Sequence, residues 1–203
     1  HFFDKAPLYL DMLDKTVCFK KIIVGQGSTF GLKSIDLSRG FFLREFRDYV
    51  LKRMLVRYPS LVLPAQENLI LVGLRTVGAA GGKGINELCD AAVAALQSIE
   101  AYSNTFKVEC FVPSDLTFEE EVRQVQRAKV IISVHGTISY MSLFSQEGTQ
   151  QISIANPKEL KENQILLYAT HFQTSYLNWN KMHRLKGLLL HALHLSEEFH
   201  SGV

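Results

Sequence analysis

The stretch Val130-Ile131-Ile132-Ser133-Val134-His135-Gly136 decides the fold that we expect for this chain. Four of its first five residues are apolar and β-branched, which is typical of a strand that is covered on both faces. The apolar run then stops at a histidine and a glycine, and a stretch of small and polar residues follows. The pattern therefore predicts a buried strand that ends in a turn at Gly136.

Working outward from this strand, the sequence alternates between strand and helix patterns. We predict strands at 69–74, 107–112, 130–134 and 151–155, and helices at 85–102, 118–128 and about 139–145. A capping box, Thr117 with Glu120, begins the helix that precedes the central strand. The alternation predicts an α/β fold, a Rossmann-like parallel sheet with helices on both faces. An earlier strand at 21–24 and helices at 41–58 and 181–200 complete the prediction.

Length and composition limit the class of protein. The chain has 203 residues, of which 47% are hydrophobic, enough for one domain or two small ones. The formal net charge of +2 does not suggest a nucleic-acid partner, and no apolar run is long enough to span a bilayer. Three cysteines, Cys18, Cys89 and Cys110, leave two alternatives open: one disulfide with a free thiol, or three reduced thiols.

Polar or glycine-rich segments follow three of the predicted strands. Arg75 begins a glycine-rich loop, Pro113-Ser114 follows the next strand, and His135-Gly136 follows the third. In a parallel sheet the carboxyl ends of the strands lie at one edge, and ligands bind there. We therefore expect a ligand site at this edge, although the sequence does not give the order of the strands.

The residue types at these strand ends are suited to a diphosphate. Gly136 permits close approach because it lacks a Cβ, and the Thr137 hydroxyl and the His135 ring offer hydrogen bonds. Arg75 can bind a phosphate through two N–H groups. The glycine-rich loop matches neither the Walker motif nor the dinucleotide-binding motif. The alternative interpretations are a tight turn with a hydrogen-bonded histidine at His135-Gly136, a mobile surface loop at the glycine-rich segment, and a helix cap at Asn86 and Glu87.

Several short motifs, taken in order, resemble those of glycosyltransferase family 61. The motifs are Cys18-Phe19 with Ile22-Ile23-Val24-Gly25, Phe46-Arg47, Leu74-Arg75, Lys83-Gly84-Ile85-Asn86-Glu87, Thr117-Phe118-Glu119-Glu120-Glu121-Val122, His135-Gly136-Thr137 and Phe144 with Gly148. Each motif is weak alone, but their order and spacing over residues 18–157 are specific.

The resemblance implies the two-lobed GT-B fold, with this chain resembling mostly the carboxyl-terminal lobe. Residues 1–58 would be the end of the amino-terminal lobe and a connecting helix, and residues 59–203 the nucleotide-sugar-binding lobe with its carboxyl-terminal helix. It also implies an inverting glycosyltransferase that moves a sugar, expected to be UDP-linked, to a hydroxyl of a glycan or glycoprotein. No cofactor or metal is expected, in agreement with the lack of a D-x-D motif.

The same resemblance implies a location in the lumen of the endoplasmic reticulum or Golgi, with any membrane anchor outside this chain. It places donor-binding residues at Arg75, Lys83, Asn86, His135, Gly136 and Thr137. It identifies no catalytic base, and Glu87 and Glu147 are candidates by position and charge alone.

Two departures from the family motifs leave alternatives open. Lys83 replaces an arginine and offers a point charge instead of a planar fork. Ile138 and Tyr140 are bulkier than the residues that the family has there. A catalytically inactive homologue that serves as a structural or glycan-binding subunit is therefore one alternative. An unrelated Rossmann-like protein that acts on another phosphorylated ligand is a second.

Overall fold

The computed structural model describes residues 38–58, 62–74, 85–134, 136–156, 166–167 and 169–201, with the backbone alone at 38–42, 85–86 and 137–138. A parallel sheet of five strands, in the order β2-β1-β3-β4-β5, forms its centre. The strands are β1 (Glu67–Gly73), β2 (Lys107–Phe111), β3 (Ala128–Val134), β4 (Thr149–Ile154) and β5 (Phe172–Leu177). The predicted α/β class with a Rossmann-like parallel sheet is confirmed.

Helices surround the sheet. The α-helices are α1 (Ser38–Arg57), α2 (Ile85–Gln97), α3 (Phe118–Arg127), α4 (Thr137–Tyr140) and α5 (Leu185–Ser201), with 3-10 helices at Pro113–Asp115, Met141–Phe144 and Trp179–Arg184. The predicted capping box is present: Glu120 N–H donates to the Thr117 hydroxyl, and Thr117 N–H donates to the Glu120 carboxylate at 2.7 Å. None of the described helices has the length and apolar character needed to cross a membrane.

Different helices cover the two faces of the sheet. Ile70 and Ile132 belong to a core cluster that β1 and β3 share with α2 and α5. Leu71 and Ile131, one residue along each strand, belong to the cluster shared with α1, α3 and the 3-10 helix Met141–Phe144. Because both faces are buried, the central strands read as continuous apolar runs, which is why the sequence reveals them.

A disulfide fixes the start of α2. It joins Cys89 to Cys110 of β2 with a Cα–Cα distance of 6.2 Å, which is ordinary for such a bond. Cys110 pairs with Val72 near the carboxyl ends of both strands. The bond therefore holds the first turns of α2 at the carboxyl-terminal edge of the sheet. Of the two alternatives for the cysteines, the structure has the one with a pair, and Cys18 lies outside the described residues.

An ion-pair cluster links the end of α3 to β1 and β2. Arg127 donates to the Glu67 carboxylate at 2.6 and 3.2 Å and to the Glu109 carboxylate at 3.0 Å through two nitrogens. Lys107 lies 2.9 Å from both carboxylates. Hydrogen bonds from Arg127 and Lys107 lower the pKa of Glu67 from 4.5 to about 2. The cluster stabilises the outer part of the sheet, where β1 pairs with β2.

The edge strand β5 was not predicted. Only its end residues, Phe172 and Leu177, are buried, and the centre is polar and half-buried or exposed. The reason is that β5 pairs with β4 on one side, and no other described strand pairs with it on the other side. Phe172 and Tyr176 belong to this strand. The predicted strand at 21–24 lies outside the described residues, and the domain division at 58/59 stays a prediction.

Removal of the disulfide gives the first testable prediction. The double variant Cys89→Ser/Cys110→Ser should lose about 3 kcal/mol of unfolding free energy, because the crosslink restricts the unfolded chain. Urea denaturation under non-reducing conditions measures the loss. A reducing agent should abolish the difference between the native protein and the variant. Equal denaturation midpoints before reduction would contradict the pairing.

The second prediction concerns acid. Because the Glu67 pKa lies below its unfolded value, its ion pairs stabilise the fold above about pH 4.5, and this contribution is lost as the pH falls toward 2. The native protein should therefore lose stability more steeply than Glu67→Gln between pH 4.5 and 2. Thermal midpoints recorded across this range test the difference. Parallel curves for the two proteins would contradict it.

Candidate functional site

The strand order reverses between β1 and β3, and at such a reversal a parallel α/β sheet forms a crevice beyond the carboxyl ends of the strands. From β1 the chain passes through α2 to β2 on one side, and then through α3 to β3 on the other side of β1. Helices therefore leave the ends of β1 and β3 toward opposite faces. In parallel α/β sheets, ligands bind in the crevice that this divergence opens. We call the space beyond the ends of β1 and β3 the switch crevice.

The structure brings two of the predicted segments together at this crevice. Gly73 of β1 pairs in register with Ser133 of β3, so the two strands end side by side. Arg75 and His135 each follow these paired residues by two positions. Arg75, Lys83 and His135 lie outside the described residues, so their roles as donor-binding residues stay predictions.

Gly136 shapes the described part of the switch crevice. Its φ angle is +119°, a conformation that residues with a Cβ rarely adopt. A Cβ built at this position would have no atom within 4 Å, so the space beside the backbone is open. The Gly136 carbonyl accepts hydrogen bonds from the Ser139 N–H at 3.0 Å and the Ser139 hydroxyl at 2.7 Å. The strand ends at a glycine because the chain turns sharply there into α4.

A buried polar network lies next to this turn. The Gln151 side chain, in a residue that is 1% exposed, donates to the Ser139 carbonyl at 3.0 Å and more weakly to the Ser133 hydroxyl at 3.4 Å. Its own carbonyl accepts from the Thr174 hydroxyl at 3.0 Å. We call Ser133, Ser139, Gln151 and Thr174 the Gln151 network. It connects β3, α4, β4 and β5.

The remaining predicted residues fall at two different edges. Asn86 and Glu87 lie in the first turn of α2, which the disulfide holds at the carboxyl-terminal edge; Glu87 is exposed. Thr137 begins α4, and only its backbone is described. Glu147 precedes β4 at the amino-terminal edge and forms an ion pair with Arg44. The structure does not bring Glu147 near the other predicted residues.

A separate cavity of about 560 Å³ lies at this amino-terminal edge. Its lining includes Gln126 and Glu147, from the segments before β3 and β4, and Phe199 from the end of α5. Arg47, which also lines it, contacts Asp48 at 2.7 Å, and Glu147 is paired with Arg44. Because these two charged groups already have partners, the cavity is poorly suited to bind a diphosphate.

Two histidines outside the switch crevice, His171 and His194, contact other groups of the protein. His171, just before β5, is buried, and one ring nitrogen lies 3.0 Å from the Leu143 carbonyl. Burial, together with the charge of Arg47, lowers the pKa of His171 to about 4, so its ring is neutral at pH 7. His194 on α5 contacts Glu198 at 3.2 Å. Among the described residues, no three His, Cys, Asp or Glu side chains cluster as metal ligands do.

The fold defines an α/β protein with a candidate ligand site at the switch point of a parallel sheet. The sequence model of the family described as Glycosyltransferase 61 matches residues 84–152, which include α2, β2, α3, β3, α4 and most of β4. The match covers about a third of the chain and confirms the resemblance of this segment to glycosyltransferase family 61. No curated protein matches the chain significantly.

The third prediction concerns Gly136. Gly136→Ala should lower the free energy of unfolding by about 1–3 kcal/mol through backbone strain alone, since the new Cβ meets no atom within 4 Å. Gly187 of α5 is a matched control, because a Cβ there also meets nothing and its φ is ordinary for a helix. Gly187→Ala should be neutral or stabilising. Equal denaturation midpoints for the two variants would contradict the conformational requirement.

Proposed function

We propose that this chain contains the nucleotide-sugar-binding lobe of a GT-B, inverting glycosyltransferase. It would transfer a sugar from a UDP-linked donor to a hydroxyl of a glycan or glycoprotein. The proposal depends mainly on one observation. The segment that matches the family, residues 84–152, contains both the Gly136 turn and the start of α2, and both lie at the carboxyl-terminal edge of the sheet.

In this proposal, the donor diphosphate lies in the switch crevice. Arg75 donates two parallel N–H groups to phosphate oxygens, and Lys83 adds a point charge. The open space beside Gly136 lets a phosphate approach the backbone closely. Hydrogen bonds from His135, and from Asn86 and Thr137 at the starts of two helices, complete the donor contacts.

The chemistry needs a base, an acceptor and a stabilised leaving group. The acceptor hydroxyl attacks the anomeric carbon while a base removes its proton, and the bond from that carbon to the diphosphate oxygen breaks. The electron pair leaves with UDP, whose charge Arg75 and Lys83 stabilise. Glu87 is the better placed of the two candidate bases, because Glu147 lies at the opposite edge of the sheet. No cofactor takes part in this scheme.

We also propose that the protein works in the lumen of the endoplasmic reticulum or Golgi. The Cys89–Cys110 disulfide supports this location, because structural disulfides persist in oxidising compartments and are rare in the cytosol. Glycans and glycoproteins are the acceptors available there.

An inactive homologue is the competing function, and Tyr140 bears on it. Tyr140 is bulkier than the residue that the family has at this position, and a bulky side chain there could crowd the phosphate. The Tyr140 side chain packs instead against the cluster of Leu143, Leu166 and Phe172. Its bulk is therefore directed toward the core, which favours a working donor site.

Calorimetric titration of the full-length protein with UDP, with and without EDTA, tests the proposal. We expect micromolar affinity that survives EDTA, and a loss of about tenfold in affinity in Arg75→Ala and His135→Ala. Arg44→Ala is the control, because Arg44 lies with Glu147 at the opposite edge of the sheet and should not affect binding.

The outcomes separate the alternatives. Unchanged affinity in Arg75→Ala and His135→Ala, or an equal loss in Arg44→Ala, would contradict the site. No binding by the folded native protein would contradict the enzyme and favour the inactive homologue. Binding that disappears with EDTA and returns with manganese would contradict metal-independent transfer.

A further inference from the structure

We propose that Gln151 is a positioning residue for the donor site: it holds the Gly136 turn and α4 in the conformation that receives the diphosphate. Gln151 would do this from the buried side of α4, without touching the donor. The inference deepens the proposed function and rests on it.

The hydrogen bonds of Gln151 fix the orientation of its amide group. The Ser139 carbonyl, 3.0 Å away, can only accept a hydrogen bond, so the NH₂ group of Gln151 must face it. A flipped amide would place two carbonyl oxygens against each other. The Thr174 hydroxyl, 3.0 Å from the Gln151 carbonyl, then donates to it and favours the same orientation. Both ends of the amide are thus specified by their neighbours.

Ser139 connects this amide to the crevice. Its N–H and hydroxyl donate to the Gly136 carbonyl, while its own carbonyl accepts from Gln151. A continuous chain of hydrogen bonds therefore runs from Gly136 through Ser139 and Gln151 to Thr174 in β5. Because α4 is a single turn of four residues, it is not stable in isolation and depends on such bonds.

Loss of the Gln151 amide would remove a hydrogen bond that a buried carbonyl accepts. Ser139 is fully buried, so its carbonyl would lose a hydrogen bond that water does not readily replace. The loss of a hydrogen bond at a buried carbonyl costs free energy, and the turn can reduce this cost by moving. Movement of α4 would shift Gly136 and change the shape of the crevice.

Two neighbours on β4 provide matched controls. Gln150 is also buried, but its amide donates to the nearby Gly148 carbonyl at 3.0 Å and, among the described residues, takes no part in the Gln151 network. Ser153 is fully buried two residues after Gln151, and within the part of the chain that the structure describes its hydroxyl has no hydrogen-bond partner. Gln150→Leu therefore reproduces the change in side chain, and Ser153→Ala removes a buried polar group, without breaking the Gln151 network.

The first experiment measures UDP affinity by calorimetry in the full-length protein, well below the unfolding temperature. Gln151→Leu should weaken binding about tenfold, equivalent to about 1.4 kcal/mol, while Gln150→Leu and Ser153→Ala should remain within about twofold of the native protein. Native-like affinity in Gln151→Leu would overturn the inference while leaving the proposed function intact. An equal loss in Gln150→Leu would overturn it as well.

The second experiment needs no nucleotide. Amide hydrogen exchange over residues 136–144 should be about tenfold faster in Gln151→Leu and unchanged in Gln150→Leu. An unchanged exchange rate in Gln151→Leu would overturn the inference, regardless of the UDP affinity of the variant. Faster exchange in a protein that never binds UDP would support the positioning of the turn and overturn the proposed function. Thr174→Val, a milder change in the same network, should speed exchange by about threefold if Gln151→Leu does not fold.

Discussion

The parallel pairing of β1 with β3 is the constraint on which the rest of this structure depends. It places Gly73 and Ser133 side by side at the ends of their strands, although sixty residues of sequence separate them. It also requires apolar cover on both faces, which α2 and α5 supply on one side and α1 and α3 on the other. The Cys89–Cys110 disulfide secures this arrangement at the carboxyl-terminal edge, and the Arg127 ion pairs link α3 to β1 and β2.

The carboxyl-terminal edge differs physically from the amino-terminal edge. At the switch crevice the described backbone has an open, positive-φ glycine, and the turn beyond it is held by buried hydrogen bonds through Gln151. At the opposite edge there is a sizeable cavity, but Arg47 and Glu147 in its lining are already ion-paired. We therefore place the candidate ligand site by topology and by the backbone conformation at Gly136, and not by the size of a cavity.

The sequence predicted the features that depend on local patterns. Continuous apolar runs revealed β1 and β3, and Thr117 with Glu120 revealed the start of α3. It did not predict β5, because an edge strand is half-exposed and lacks such a run. It did not predict the Gln151 network, because glutamine is usually exposed and its burial follows from the strand order. The polar run Thr149-Gln150-Gln151 beside Ile152 was the only local signal.

We propose that a nucleotide diphosphate binds in the switch crevice between β1 and β3. Backbone amide NMR during a titration of the full-length protein with UDP tests it most directly, because it reports on both edges of the sheet at once. If UDP binds there, the amide signals of Gly73, Gly136 and Ser139 should shift, while those of Gln146 and Phe199 in the amino-terminal cavity should not. Shifts confined to Gln146 and Phe199 would contradict it.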